Sequence, residues 1–245
     1  MEPEIVQRLL DLNRQFYQTF ALQFSATRQR LQPGVKKVIP ELGLASSILD
    51  LGCGNGRLIR ELARLEYKGK YTGLDFSQGL LEEARRALPP GLEAVFSQAD
   101  LSSDVWEAGL PVKSFQVVLA LAVLHHIPSA SLRRQILRKV YDLLAPGGLF
   151  ILSNWQFLSS PRLRGRIQPW EAAGLSETQV EPGDYLLDWR QGDFGLRYVH
   201  HFSPQELQLL ASETAFVVED SFLSDGENQQ LSLYQKWTAA ADSNG

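Results

Sequence analysis

The chain has 245 residues, 44% of them hydrophobic and 21% charged, with 19 Gly and 12 Pro spread along its length. That mixture excludes a disordered chain, a collagen-like repeat and a disulfide-stapled miniature fold, and at roughly 150 residues per domain it allows one large or two small domains. The formal net charge of −4 covers an uneven distribution: residues 133–170 carry seven Lys/Arg against one acid, and residues 171–245 carry three against thirteen.

The start, Met1-Glu2-Pro3-Glu4, is acidic and lacks the basic-then-apolar profile of a signal peptide. The longest apolar run, Val117 to Leu124, is eight residues, against the roughly 20 of a membrane helix. Cys53 is the single cysteine, so no internal disulfide and no metal-ligand cluster is expected. These features predict a cytoplasmic globular protein with no metal and no membrane partner.

From Ile5 to Phe24 the apolar residues recur at mostly helical spacing, which predicts an amphipathic leading helix. Segments then alternate. Ser47 to Leu51 reads as a strand, followed by a Gly-rich turn and a helix to about Leu65. Tyr71 to Phe76 is a second strand, and Ser77 caps a helix that runs to about Leu88. Leu92 to Ala99 is a third strand, and Phe115 to Leu124 a fourth, whose apolarity suits burial on both faces. A helix from Leu132 to Leu144 is stopped by Pro146-Gly147-Gly148, and Leu149 to Asn154 is a fifth strand. Residues 156–202 form a Pro/Gly-punctuated insertion too long for a plain connection. Helix Pro204 to Thr214 and strands Phe216 to Phe222 and Leu231 to Trp237 complete the pattern. The last link is too short for a crossover helix, which makes the final strand antiparallel. The predicted fold is a doubly wound, seven-stranded, mostly parallel α/β sheet of Rossmann-like type. A helical cap segment (1–44) would precede the main domain (45–238), and a disordered tail (239–245) would follow it.

Asp50-Leu51-Gly52-Cys53-Gly54-Asn55-Gly56 follows the first strand and opens a helix, where glycines let the backbone approach a ligand. Its Gly-x-Gly-x-Gly spacing differs from the Gly-x-Gly-x-x-Gly of dinucleotide sites. Asp75 ends the second strand, where a carboxylate can accept from both hydroxyls of a ribose. Asp100 and Leu101 end the third. An acidic loop suits a cation and disfavours a pyrophosphate.

In this order along one chain, these residues resemble the class I S-adenosylmethionine-dependent methyltransferases over about residues 45–155 and the terminal strand pair. The resemblance implies that Asp50, Gly52, Gly54, Asn55 and Gly56 hold the methionine end of S-adenosylmethionine and that Asp75 holds the ribose. It also implies that Asp100 and Leu101 meet the adenine, with Phe76 packed on it, and that S-adenosylhomocysteine is the product.

Four further stretches are similar to the eukaryotic tRNA wobble-uridine methyltransferases: Phe24-Ser25-Ala26-Thr27-Arg28, Ala122-Val123-Leu124-His125-His126, Asn154-Trp155, and Arg197-Tyr198-Val199-His200-His201-Phe202. Those enzymes esterify 5-carboxymethyluridine in the tRNA anticodon loop with the help of a small activator protein. The resemblance makes Arg28, His125, Trp155, Arg197, Tyr198 and His200 the candidate acceptor-side catalytic residues. Arg28 or Arg197 would orient the carboxylate, the aromatic side chains would stack on a splayed base, and Arg162, Arg164 and Arg166 would follow a phosphate track. An activator could dock along Phe115 to Leu121. Departures are Gln32 for a Trp, Phe76 for a basic residue and Val199 for a Tyr. Two other readings stay open: a small-molecule O- or N-methyltransferase using the insertion as a lid, and a non-catalytic cofactor-binding scaffold. Arg133 and Arg134 read most simply as a solvated helix face.

Overall fold

The computed structural model describes residues 1–27, 30–190 and 194–240, the side chains of 21–27 excepted. Its helices are α1 (Pro3–Thr27), α2 (Pro33–Leu44), α3 (Arg57–Arg64), α4 (Gln78–Arg86), α5 (Ala130–Leu143), α6 (Pro161–Arg164) and α7 (Pro204–Glu213). The strands are β1 (Ser47–Leu51), β2 (Lys70–Asp75), β3 (Ala94–Gln98), β4 (Phe115–Leu121), β5 (Leu144–Trp155), β6 (Ile167–Gln168), β7 (Asp184–Trp189), β8 (Gly195–His200), β9 (Phe216–Ser224) and β10 (Ser232–Ala239).

The main sheet has seven strands in the order β3-β2-β1-β4-β5-β10-β9. β10 runs antiparallel to β5 and β9, and the pairings among β1 to β5 are parallel. This is the doubly wound arrangement with an antiparallel last strand. Its cause is visible in β4, where Val117 and Leu119 join the core beneath α2, α3 and α4, while Val118 and Ala120 join the core beneath α5 and α7. Apolar residues at every position along a period-2 strand bury both faces, which only a sheet with helices on each side can satisfy. Ser77 caps α4 as expected, its hydroxyl accepting from Leu80 N.

Several boundaries differ from the sequence reading. β4 ends at Leu121 because Ala122 takes a left-handed conformation (φ 58°) and leads into a 3₁₀ turn over Leu124–His126. β5 starts at Leu144, and Pro146-Gly147-Gly148 is an irregularity within it: Phe115 faces Leu144 and Val117 faces Leu149. β4 lies in the middle of the sheet, paired on both sides, so it offers no docking edge. Among the described residues, the first 44 positions hold the two helices α1 and α2. Residues 241–245 of the expected tail fall outside the described residues, and Ala239 belongs to β10.

The insertion carries a sheet of its own, in the order β6-β7-β8. Its outer strand β8 packs on α1, where the Asn13 side chain accepts from Tyr198 N (2.9 Å) and donates to Tyr198 O (3.2 Å) as a neighbouring strand would. A buried polar network ties this sheet to the main one. Tyr198 Oη donates to Asp184 Oδ1 (2.6 Å), and His200 is held between Asp184 Oδ1 and Glu206 Oε1 at 2.7 Å each. Arg133 pairs with Glu181 at 3.2 Å and lies 3.8 Å from Glu206. Arg133 is only 2% exposed, so it does not belong to a solvated helix face; Arg134, paired with Glu213, is half-buried.

Burial lowers the His200 pKa, but hydrogen bonds to Asp184 and Glu206 outweigh it and raise the value above 6.5. A raised folded pKa stabilises the fold below the ordinary value and loses that contribution as pH rises through the folded one. Thermal unfolding followed from about pH 6 to 9 is therefore expected to show wild-type stability falling relative to His200→Gln. A constant difference would rule out a charged His200. Arg133→Ala, which removes a buried guanidinium shared by Glu181, Glu206 and the Ile127 carbonyl, is expected to cost about 3 kcal/mol in chemical denaturation.

Candidate active site

A cavity of about 510 Å³ opens at the carboxyl ends of β1, β2, β4 and β5, the position where open α/β sheets bind ligands. One end is the glycine loop. Gly52, Gly54 and Gly56 have φ of 71°, 56° and 69°, a region that side chains with a Cβ rarely adopt. Gly54 lines the cavity, and a Cβ built on it meets nothing within 4 Å. Gly56 is different. It caps α3 outside the cavity lining, and a Cβ there would stand 2.8 Å from that of Ala84, so its small size serves the contact with α4.

Two carboxylates lie under this loop. Asp50 is buried and accepts from Tyr71 Oη. Burial, reinforced by the charge of Asp75 and opposed by the Tyr71 hydrogen bond, pushes its pKa up to about 7. Asp75 accepts from Ser77 N and Gly54 N at 2.9 Å each, and burial raises its pKa as well. A cation placed beside this pair relieves both burial penalties. Asp100 accepts from Ser102 N (2.9 Å) and Oγ (2.6 Å) on one oxygen and from Arg14 Nε (3.1 Å) on the other. Burial opposes it, yet these bonds and the Arg14 charge hold its carboxyl below the ordinary range.

At the other end stands Arg197, 2% exposed, on β8. Its guanidinium lies 4.5 Å from the ring centre of Trp155, 5.3 Å from Phe16 and 5.8 Å from Trp189. The His125 ring stacks on Trp155 at 5.8 Å and 11°. Between the two ends, Tyr17 Oη and His126 Nε2 are 2.7 Å apart, and Tyr17 meets Phe76 edge-on.

Ten of the candidate cofactor-binding and catalytic residues named from the sequence line this one cavity: Asp50, Gly52, Gly54, Asn55, Asp75, Phe76, Asp100, Leu101, Trp155 and Arg197. Gly56, His125, Tyr198 and His200 do not. The alternation of β8 turns Arg197 to the cavity and sends Tyr198 and His200 to the opposite face, onto Asp184. His125 sits behind Trp155, and His126 takes the lining position. Arg28 lies outside the described residues. The sequence reading also passed over Arg14, Tyr17 and Trp189, all of which line the cavity. Tyr17 is followed four residues on by Ala21 within a helix read for its core face alone, and Trp189 sits at the end of an unforeseen strand.

Residues 48–148 match a family model described as a methyltransferase domain. A protein of Encephalitozoon cuniculi that carries a methyltransferase name is 31% identical over 206 residues, 84% of this chain and 87% of that protein. The chain belongs to the S-adenosylmethionine-dependent methyltransferases. The trans-aconitate 2-methyltransferase of Azoarcus is 31% identical over 66% of this chain and 60% of its own length. A tRNA (carboxymethyluridine(34)-5-O)-methyltransferase of Macaca fascicularis is 28% identical over 58% of this chain, which is 19% of that protein. Two solved structures share the fold with a TM-score of 0.66. A methyltransferase of Methanosarcina mazei is 23% identical and is matched over 86% of this chain and 99% of its own. The 1,6-didemethyltoxoflavin-N1-methyltransferase of Burkholderia thailandensis, with S-adenosylhomocysteine bound, is 18% identical over 98% of this chain and 92% of its own.

The methyltransferase takes its methyl group from S-adenosylmethionine, and the open space over Gly54 and the buried acids beside it fit that sulfonium cation. The geometry predicts that Asp75→Ala, which removes a carboxylate and an anchor of the Gly54 amide, weakens S-adenosylhomocysteine binding about tenfold or more. Isothermal calorimetry at constant pH checks it, and an unchanged Kd would sink the assignment.

Proposed function

We propose that this methyltransferase forms methyl esters on carboxylates, and that its acceptor is the carboxylate of 5-carboxymethyluridine at the wobble position of tRNA. The observation that carries the proposal is Arg197: a buried guanidinium walled by Trp155, Trp189 and Phe16, lining the same cavity as the glycine loop. An arginine fork matches a carboxylate, and aromatic walls lower the local dielectric, which strengthens that pairing. S-adenosylmethionine, when bound, supplies an electrophilic methyl group. Asp50 and Asp75 would hold its cationic and ribose parts, and Asp100 with Phe76 its adenine. Arg197 would hold and orient the acceptor carboxylate and Trp155 would exclude water beside it, so positioning would carry the rate. A carboxylate is already ionised at neutral pH and requires no base. Trp155, Trp189 and Tyr17 suit a planar base turned out of an RNA loop, and the Macaca relative's name supports that acceptor.

A small carboxylic acid is the second reading, favoured by the burial of the Arg197 side chain, 2% exposed, and by the Azoarcus relative's name. The test is methyl transfer to tRNA from cells that make 5-carboxymethyluridine and cannot esterify it, read as nucleosides by mass spectrometry. The methyl ester is expected, and Arg197→Ala is expected to cut kcat/KM about a hundredfold. Tight cofactor binding with ester on trans-aconitate and none on tRNA would replace the first reading with the second.

A further inference from the structure

Much of the uneven charge along the sequence is neutralised inside the fold. Arg133 pairs with Glu181, Arg134 with Glu213 and Lys139 with Glu107. The arginines after Trp155 are different. Arg164 donates to the Leu158 carbonyl, whereas Arg162 and Arg166 have no ion pair and no side-chain hydrogen bond among the described residues. Both line the cavity. They are brought there by Leu163, which is buried with Phe157 in a cluster against which Trp155 packs, so they stand on the Trp155 side. Three other cavity arginines are engaged: Arg14 with Asp100, Arg57 with the Arg30 carbonyl at 3.3 Å, and Arg197 with its aromatic walls.

Two guanidinium groups that line one cavity without an acid beside them suit an anion that neutralises both. We propose that Arg162 and Arg166 form a subsite for a second oxyanion of the acceptor, distinct from the carboxylate that Arg197 orients; this rests on the carboxylate reading above. Forked donors suit a phosphate and a carboxylate alike. In an RNA acceptor the group is the phosphodiester next to the methylated nucleoside; in a small acid it is a second carboxylate.

The test compares four acceptors in pairs: 5-carboxymethyluridine with its 3′-monophosphate, and crotonate with trans-glutaconate, which adds one carboxylate. Each is assayed with the wild type and with the double variant Arg162→Gln, Arg166→Gln, while calorimetry follows S-adenosylhomocysteine binding. Arg162 is exposed and Arg166 partly so, and a melting curve verifies that the variant is folded. The wild type is expected to prefer the member with the extra anion by about tenfold or more in kcat/KM, through KM, and the variant is expected to lose that preference with its cofactor affinity intact. A preference lost in the nucleotide pair identifies a phosphate, and one lost in the acid pair identifies a carboxylate. Ester formation without a preference, or with a preference that survives the substitutions, overturns the subsite. Cofactor binding with no ester from any of these acceptors, nor from tRNA carrying 5-carboxymethyluridine, overturns the carboxylate reading itself.

Discussion

Both faces of the inner parallel strands β1, β2, β4 and β5 are covered, so a charged side chain on one of them has room only at or beside the strand ends. Asp50 and Asp75 stand at or beside the carboxyl ends of β1 and β2, and Trp155 ends β5. The parallel direction gathers these ends on one edge. The change of winding direction between β1 and β4 keeps the connecting helices from closing over it. The cavity therefore follows from the way the core is buried, and a ligand that brings positive charge beside the two acids would offset the burial that raises both their pKa values.

The first helix ties the two ends of that cavity together. Arg14 reaches Asp100, Tyr17 touches Phe76 and His126, and Phe16 and Phe20 pack on Trp189, one wall of the Arg197 box. These contacts lie within two turns of one rigid element. A cofactor held near Asp100 and an acceptor held near Arg197 thus share a common wall, and the spacing between them is set by the helix.

The sheet was legible because its signal is local. Apolar runs such as Val117 to Leu121, glycine punctuation after β1 and the Ser77 cap each report their own conformation within a few residues. The acids of the site were legible for the same reason, since they sit at fixed offsets from strand ends. The insertion was not. Asp184–Trp189 and Gly195–His200 mix charged and apolar residues on faces that are both buried, one by apolar contact and the other by a polar network, so neither shows a clean alternation. That mixture also misdirected the acceptor residues: Tyr198 and His200 carry chemistry-bearing side chains, but strand alternation aims them at Asp184 while Arg197 faces the cavity. Arg133 escaped for a related reason, because its partner Glu181 is 48 residues away and no local pattern announces a long-range pair.

The pairing of Asn13 with the backbone of Tyr198 reaches beyond the site. An outer strand with bare peptide groups is a template for another chain, and proteins blunt such edges in different ways. Here β6, at one side of the insertion sheet, is two residues long, and β9, at one side of the main sheet, bears Glu219 and Asp220. β8 has neither protection, and its Leu196-Arg197-Tyr198-Val199 run favours extended pairing. A side-chain amide from α1 occupies its edge instead. The helix that lines the candidate site thereby also covers part of this strand edge, where another chain would otherwise pair.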